Sequence, residues 1–507
     1  MNRTIFRGRA EELALLDSMW DTDQAALLIL YGRRRVGKTR LLTHWREQRP
    51  GRALYWVAEP TSALHQLRSF SQAIYNFSHP DRKAPRDFTY ADWEQAFDQV
   101  AEMCEEQRMA LFIDEVTYLI EVDPNFVGML QKVWDHVLKQ SNLILALSGS
   151  QLGMIQKELL DYQAPLYGRA TSQLQLQPLP FTMTKAFFPD YTPEELVSVY
   201  AIFGGIPAYW ERMDPDKPIL DNIRQQLLTT ANLMHDEPRI LLQDFISDAS
   251  NYVGIMRAIA SGAETQKEIG DHTGLSQGHV SKNLSVLRDT GFVERVVPVT
   301  EASNNSRRGR YNVTDPYLRF YFRFLSPHQS ELAVGAQDEW LDTIRESLPE
   351  FIESYTWKEL CQDWLLFAGA RGLLPVKLDR VGGVWTRTQT VAVAGINRKE
   401  KTLILGNCFW QEQPAGHQAL RDLMRVTNSV VPKSGQWTVH YVCFSRSGWT
   451  ERALAEIDRL AVEAPEGKNW TAVSMQLLEL DRVMTDLTTW SDQLAEQNKI
   501  LLRNSSD

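Results

Sequence analysis

Cysteine is scarce in this sequence, and what there is does not cluster. Cys104, Cys361, Cys408 and Cys443 are the four in 507 residues, with no CxxC pair and no histidine spacing that would complete a zinc site. A disulfide scaffold and a zinc module are therefore excluded, and reduced core thiols are expected. Long apolar runs are missing too. None approaches membrane-spanning length, and the opening MNRTIFRGRAEELALL has no uninterrupted apolar stretch before a small-residue cleavage site. No membrane contact is expected, and the cytoplasm is the predicted address. Positive charge is not in excess: 54 Lys and Arg against 64 Asp and Glu give a net charge of -10. That balance opposes nonspecific coating of nucleic acid, because backbone binding needs Lys and Arg to displace counterions. Any DNA contact must be local.

What is present describes a folded chain of several parts. A hydrophobic fraction of 43%, 23% charged residues and 15 Trp are the composition of globular proteins. The length corresponds to roughly three domains of ordinary size.

The segment ALLILYGRRRVGKTRLLTHW carries the strongest motif. An apolar run from Ala26 to Tyr31 is followed by Gly32, by Arg33, Arg34, Arg35 and Val36, by Gly37-Lys38-Thr39, and then by a helical apolar pattern. Strand, loop and helix are the context that the phosphate-binding pattern GxxxxGK[ST] requires. Gly32 and Gly37 allow a tight loop whose N–H groups point inward, so phosphates sit at the positive end of the next helix. Lys38 adds a full charge, and Thr39 offers a hydroxyl to a magnesium ion. ATP and Mg2+ are the expected ligands.

A second signature lies in MALFIDEVTYL. Ala110 to Ile113 read as a buried strand ending in Asp114 and Glu115. Asp114 would hold the magnesium, and Glu115 would act as general base on the attacking water. A third strand, LILALSGSQLGMI, ends in Ser148, Gly149, Ser150 and Gln151, where a γ-phosphate sensor would sit; small polar residues at a strand end are equally ordinary turn chemistry. Arg169, in PLYGRAT, is a candidate arginine finger for the same or a neighbouring subunit, with a surface arginine as the alternative.

Together these residues resemble the archaeal-type ATPase family of the STAND class of P-loop NTPases. IFRGRAEELALL is similar to that family's Gly-Arg-x-x-Glu segment, here Gly8, Arg9 and Glu12, which the resemblance puts near the adenine. Gly205 and Pro207 of FGGIPAYW match its Gly-x-Pro lid signature, and the resemblance alone implies a switching role. A helix stop and sharp turn are what those residues encode locally. Tyr209 and Trp210 read as packing.

From about Tyr252 to Leu325 the pattern becomes that of a winged helix. Thr265 to His272 reads as one helix, Gly274-Leu275-Ser276 as the turn and cap, and Gln277 to Thr290 as a second helix, with GFVERVVPVT and YNVT forming a hairpin. If it reads DNA, Gln277, His279, Ser281 and Lys282 face the major groove, and Arg307, Arg308 and Arg310 of the wing contact phosphates. Docking to protein is the alternative.

The last third resembles the domain known as DUF234, which is similar to the PD-(D/E)xK restriction-endonuclease fold. The chemistry of that fold needs an acid on one strand and Glu-x-Lys on the next. Here those places hold Ala392 and Asn407-Cys408-Phe409. Alanine and phenylalanine cannot ligate magnesium through a side chain, and asparagine lacks the charge this hard cation favours. Glu359 resembles the helical glutamate of that fold but reads equally as an ordinary helix acid. No nuclease activity is expected.

The predicted architecture is α/β: a P-loop parallel-sheet ATPase domain at 1–190, a helical lid at 191–250, a winged helix-turn-helix at 251–325, a restriction-endonuclease-like domain at 326–480 and a C-terminal helix and tail at 481–507. The expected function is a nucleotide-dependent ATPase switch coupling the winged helix to an inactive nuclease-like domain. The alternative is an ATP-modulated DNA-binding regulator with little turnover. Double-stranded DNA and a second copy or protein partner are the expected partners.

Overall fold

A computed structural model describes residues 6–229, 233–243, 250–303, 305–333 and 337–504. Residues 230–232 and 244–249 of the expected lid, 304 of the wing and 505–507 of the tail lie outside the described residues.

The N-terminal part is a parallel sheet of β1 (Ala26–Tyr31), β2 (Ala53–Val57), β3 (Met109–Asp114), β4 (Leu143–Gly149) and β5 (Ser172–Gln175), in the order β2-β3-β4-β1-β5. Helices cover both faces, so the inner strands are continuous apolar runs without alternation: ALLILY in β1 and MALFID in β3 are buried almost throughout. Helix Ala63–Ser78 is capped by Ser62 and helix Trp93–Glu106 by Asp92, each accepting from a first-turn N–H.

The next segment packs as short helices. Helix Pro193–Phe203 begins with a capping box between Thr192 and Glu195 and ends at Gly204. Gly205 has a local reason for its identity: a Cβ there would lie 1.9 Å from the Leu179 carbonyl oxygen. The chain crosses itself at that point, with Leu179 N–H donating to Gly205 O at 2.7 Å.

The winged helix consists of helices Ser250–Ala260, Gln266–Thr273 and Gln277–Asp289 and the antiparallel pair β6 (Val293–Val296) and β7 (Arg310–Val313). Thr265 and Glu268 form a second capping box, Gly274 takes the left-handed conformation at φ 70°, and Ser276 caps the second helix of the motif.

Beyond helices Gln337–Ile352 and Lys358–Ala370 lies a seven-stranded mixed sheet: β8 (Arg380–Trp385), β9 (Thr390–Asn397), β10 (Thr402–Gly406), β11 (Cys408–Phe409), β12 (Trp437–Ser445), β13 (Glu466–Gly467) and β14 (Trp470–Glu479). Its order is β13-β14-β12-β10-β9-β8, with β11 beside β12. The final helix, Leu480–Asn504, turns back to the first part of the chain, where Asn498 donates to Glu11 at 3.0 Å.

One apolar core runs from a face of the N-terminal sheet (Leu28, Leu30) through the lid (Phe203, Trp210) and winged helix (Leu284, Leu287) to the C-terminal sheet (Val393, Val442). The parts are therefore packed together rather than strung on linkers. All four cysteines are buried and free, as free thiols behave when they pack as small apolar groups. Among the described residues no helix is long and apolar enough to cross a membrane.

Candidate nucleotide-binding site

Strand β1 delivers the chain to its carboxyl end, and the loop from Gly32 to Gly37 carries it into helix Lys38–Glu47. The loop is held tightly. A Cβ on Gly32 would lie 2.6 Å from the Leu176 carbonyl oxygen, and Arg35 and Gly37 adopt positive φ of 64° and 106°. Lys38 is 5% exposed and folds over the loop, donating to Gly32 O at 2.9 Å and Arg33 O at 3.3 Å. Burial lowers its ammonium from the ordinary value, opposed by the charges of Glu115 and Asp114.

Strand β3 ends on the other side of the same point. Asp114, 1% exposed, accepts from Thr39 Oγ1 and from Tyr55 OH, both at 2.6 Å on Oδ2, and from Glu115 N–H at 3.0 Å on Oδ1. Burial first, then its bond to Asp114, raises the Tyr55 hydroxyl well above its ordinary range, so it remains a donor. Glu115 sits at φ 53°, and its Oε2 accepts from Ser150 Oγ at 2.9 Å. Of the polar residues at the end of β4, Ser150 is therefore the one that reaches the acidic pair.

Lys38, Thr39 and Glu115 line a cleft of about 680 Å³ together with Arg9, Arg34, Arg35, Val36 and Gly37. That volume suits a ligand of nucleotide size. Arg9 Nη2 donates to Val36 O at 2.9 Å while Nη1 pairs with Glu12 at 2.9 Å, so Arg9 braces the loop from the wall. Gly8, at φ 74°, turns the chain over Leu179 and Met183. The apolar end of the cleft has Phe6, Phe187 and Pro207; Phe6 stacks on His44 with ring centroids 4.0 Å apart.

Two loop arginines reach partners outside the loop. Arg33 turns away from the cleft, forming an ion pair with Asp315 and donating to Tyr209 OH at 2.9 Å. Arg35 pairs with Glu237 at 2.9 Å, and Tyr209 donates to the same carboxylate at 3.0 Å. Tyr209 thus adds a polar contact to the packing role that the sequence suggested. Asp315 and Glu237 had no local motif to reveal them.

Arg169 is not brought into the cleft. Strand β5 starts beside Leu28, and Thr171 N–H donates to Leu27 O at 2.8 Å. Arg169 therefore lies near the amino end of β1, opposite the loop. Its guanidinium is held by Asp135 through contacts of 2.8 to 3.0 Å, which corrects the expectation that it reaches the phosphates of its own chain.

On the winged helix, Gln277, His279, Ser281 and Lys282 are exposed. The wing is not free in the same way. Arg308 pairs with Glu301 at 3.2 Å, and Arg310 pairs with Glu264 at 2.9 Å and lies 4.8 Å from the Trp385 ring centre. Of the arginines expected on phosphates, Arg310 is engaged within the chain, whereas Arg307 and Arg308 are exposed, Arg308 holding only a surface ion pair.

In the C-terminal sheet, Ala392 N–H donates to Asn407 Oδ1 at 3.4 Å, so the two positions compared above with the acids of a nuclease fold are adjacent. Glu359 pairs with Arg319 at 2.9 Å. Among the described residues no group of three or more His, Cys, Asp and Glu side chains is placed to hold a metal ion.

Comparison with known proteins matches three stretches. Residues 6–213 match a family described as an ATPase domain predominantly from Archaea, and residues 321–421 match DUF234, archaeal and bacterial proteins of unknown function. Residues 251–295 match the bacterial regulatory protein arsR family. An uncharacterized protein of Methanocaldococcus jannaschii is 28% identical over 408 residues, covering 80% of this chain and 88% of the relative. An uncharacterized ATP-binding protein of the same organism is 49% identical over 45 residues, 9% of this chain and 76% of the relative. The Walker-type ATPase paby2304 of Pyrococcus abyssi superposes with a TM-score of 0.48 at 19% identity, covering 64% of this chain and 97% of that one.

Proposed function

We infer an ATP-hydrolysing switch from a chain whose residues 6–213 match an ATPase domain predominantly from Archaea and whose residues 321–421 match DUF234. The observation that carries the reading is the meeting of Lys38, Thr39, Asp114 and Glu115 at one cleft. Loop N–H groups, the start of helix Lys38–Glu47 and the Lys38 ammonium attract the phosphates. The base packs toward Phe6 and Phe187.

Thr39 and Asp114 fit a magnesium ion: both present oxygen, the acid is buried, and they already share a hydrogen bond. When bound, the ion would neutralise charge on the phosphate oxygens. Glu115 orients a water toward the γ-phosphorus and takes its proton as the new P–O bond forms and the bond to the bridging oxygen breaks. Ser150 holds the Glu115 carboxylate in place.

The switch reading rests on Arg33 and Arg35. Both belong to the loop that senses phosphate, and their partners Asp315 and Glu237 lie in the segments that follow. Charge arriving in the cleft competes for Arg35, and loop movement reaches Asp315 through Arg33. The C-terminal sheet is the element whose contacts change, and with Ala392, Asn407 and Phe409 at the positions of a nuclease site it cuts no nucleic acid.

A second reading, an ATP-modulated DNA-binding regulator, is favoured by the exposed face carrying Gln277, His279 and Lys282. One experiment addresses both: ATP binding and phosphate release by the purified protein, with and without duplex DNA, beside Lys38→Ala and Glu115→Gln. The switch requires turnover in the wild type, loss of binding in Lys38→Ala, and binding without turnover in Glu115→Gln. Absence of ATP binding by the wild type with magnesium present would refute it. DNA binding that depends on ATP but not on turnover would favour the regulator.

A further inference from the structure

With Arg169 at the far end of β1, the cations closest to the acidic pair are those of the phosphate-binding loop itself. We propose that Arg34 is a catalytic residue of the hydrolysis inferred above, binding the γ-phosphate oxygens and stabilising the charge they carry as the phosphoryl group transfers. The inference rests on that ATPase reading.

The shape of the loop sorts its three arginines. Val36 N–H donates to Arg33 O at 3.4 Å, closing a turn with Arg34 and Arg35 at its corners. Arg33 leaves the loop toward Asp315, and Arg35, at φ 64°, is drawn to Glu237 of helix Glu237–Gln243. Arg34 is half-buried and lines the cleft together with Lys38, Thr39 and Glu115. It follows directly on the carbonyl to which Lys38 Nζ donates at 3.3 Å, so its backbone lies beside that ammonium. The charges agree with this placement. After burial, those that act on the Lys38 ammonium are Glu115, Asp114 and, in the opposite sense, Arg34.

A γ-phosphate must meet both Lys38 and the water that Glu115 orients, so it occupies the space these two residues share, and Arg34 is on the wall of that space. In the reaction the water oxygen bonds to the γ-phosphorus, the bond to the bridging oxygen breaks with its electron pair leaving on ADP, and the water's proton passes to Glu115. Arg34 exchanges no proton. A guanidinium is planar, always charged and able to place two parallel N–H groups on two phosphate oxygens, a geometry that the ammonium of Lys38 lacks. Charge in the transition state is spread over the three equatorial oxygens of the phosphoryl group, so the contact lowers the barrier more than it tightens substrate binding.

Two measurements on the full-length protein with magnesium present test the assignment, comparing wild type with Arg34→Ala and Arg34→Lys. In steady-state phosphate release, Arg34→Ala should lose roughly a thousandfold in kcat with KM near that of the wild type. Arg34→Lys, which keeps the charge without the fork, should fall between the two. The second measurement needs no turnover: ADP is titrated alone and with aluminium fluoride, which imitates the transferring phosphoryl group. Aluminium fluoride should tighten ADP on the wild type and not on Arg34→Ala, while ADP alone binds both equally. Equal tightening in the two proteins, or an unchanged kcat in Arg34→Ala, overturns the proposal. Loss of binding of ADP alone by a folded Arg34→Ala, checked by circular dichroism, overturns it too, since the residue would then hold the ground state. Turnover in the wild type that is lost in Glu115→Gln upholds the ATPase reading whatever Arg34 does. A wild type that neither hydrolyses ATP nor responds to aluminium fluoride fails that reading, and the role of Arg34 falls with it.

Discussion

Arg33, inside the phosphate-binding loop, forms an ion pair with Asp315, the residue that caps helix Pro316–Phe320 just after the winged helix. The pair joins positions 282 residues apart in sequence. Asp315 is divided between two tasks, since its Oδ1 also accepts from Leu318 N–H at 2.8 Å. A change that disturbs the loop therefore reaches a helix cap directly.

Arg33→Ala is expected to lower stability by about 1–3 kcal/mol, the cost of leaving a largely buried partner without its charged bond. Urea denaturation measures it. The same variant should lose any ATP-dependent change in protease sensitivity of the winged helix while still binding ATP. A variant that keeps that response would show that the signal travels by another route.

Tyr55→Phe removes one of the two side-chain donors on Asp114 Oδ2 and leaves Thr39 in place. Because a group that hydrogen-bonds a metal's ligand tunes metal affinity by roughly tenfold or more, the magnesium concentration for half-maximal turnover should rise by about that factor. ATP affinity without magnesium should stay constant. A change in both would mean that Tyr55 supports the loop instead of the acid.

Arg169→Ala should leave ATP turnover within about twofold, where removal of an arginine finger would cost roughly a thousandfold or more. Its pair with Asp135 is partly exposed, 30% and 36%, so stability should fall by no more than about 1 kcal/mol. A thousandfold loss of turnover would instead identify it as a group donated to a neighbouring copy.

The raised carboxyl of Asp363 has a defined consequence for stability against pH. Its folded value is about 6 against an ordinary 3.8, so the folded state holds the proton more tightly across that interval. Stability from this group is present at low pH and is lost as pH rises through about 6. Asp363→Asn removes the dependence, so the melting temperature of the variant relative to wild type should climb between about pH 4 and pH 6 and then level off. A difference that stays flat across this interval would show that Asp363 ionises normally.

If the winged helix contacts DNA, its helix and wing should respond differently to substitution. Lys282→Ala, on the exposed helix, should weaken binding to a preferred duplex and relax the preference for its sequence. Arg310→Ala breaks a contact with Glu264 and Trp385 inside the chain and should change stability more than DNA affinity. The reverse pattern in a fluorescence-anisotropy titration would place the wing on the nucleic acid.

The local elements were legible because their causes are local. The GxxxxGK[ST] spacing between a buried strand and a helix, the acids Asp114 and Glu115 after a buried run, and the Ser276 cap each act within a few residues, so these segments were readable as loop, strand and helix; Thr265, read as the first residue of its helix, is instead its cap. What lies around those elements was decided by packing. Asp315 and Glu237 gain meaning only when the chain brings them to Arg33 and Arg35, and Arg169 falls at the far end of β1 because β5 starts at Leu28. The pair of Arg319 with Glu359 likewise joins segments that no periodicity links. Burial and charge pairing across such distances depend on where whole elements settle, and tertiary structure alone sets that.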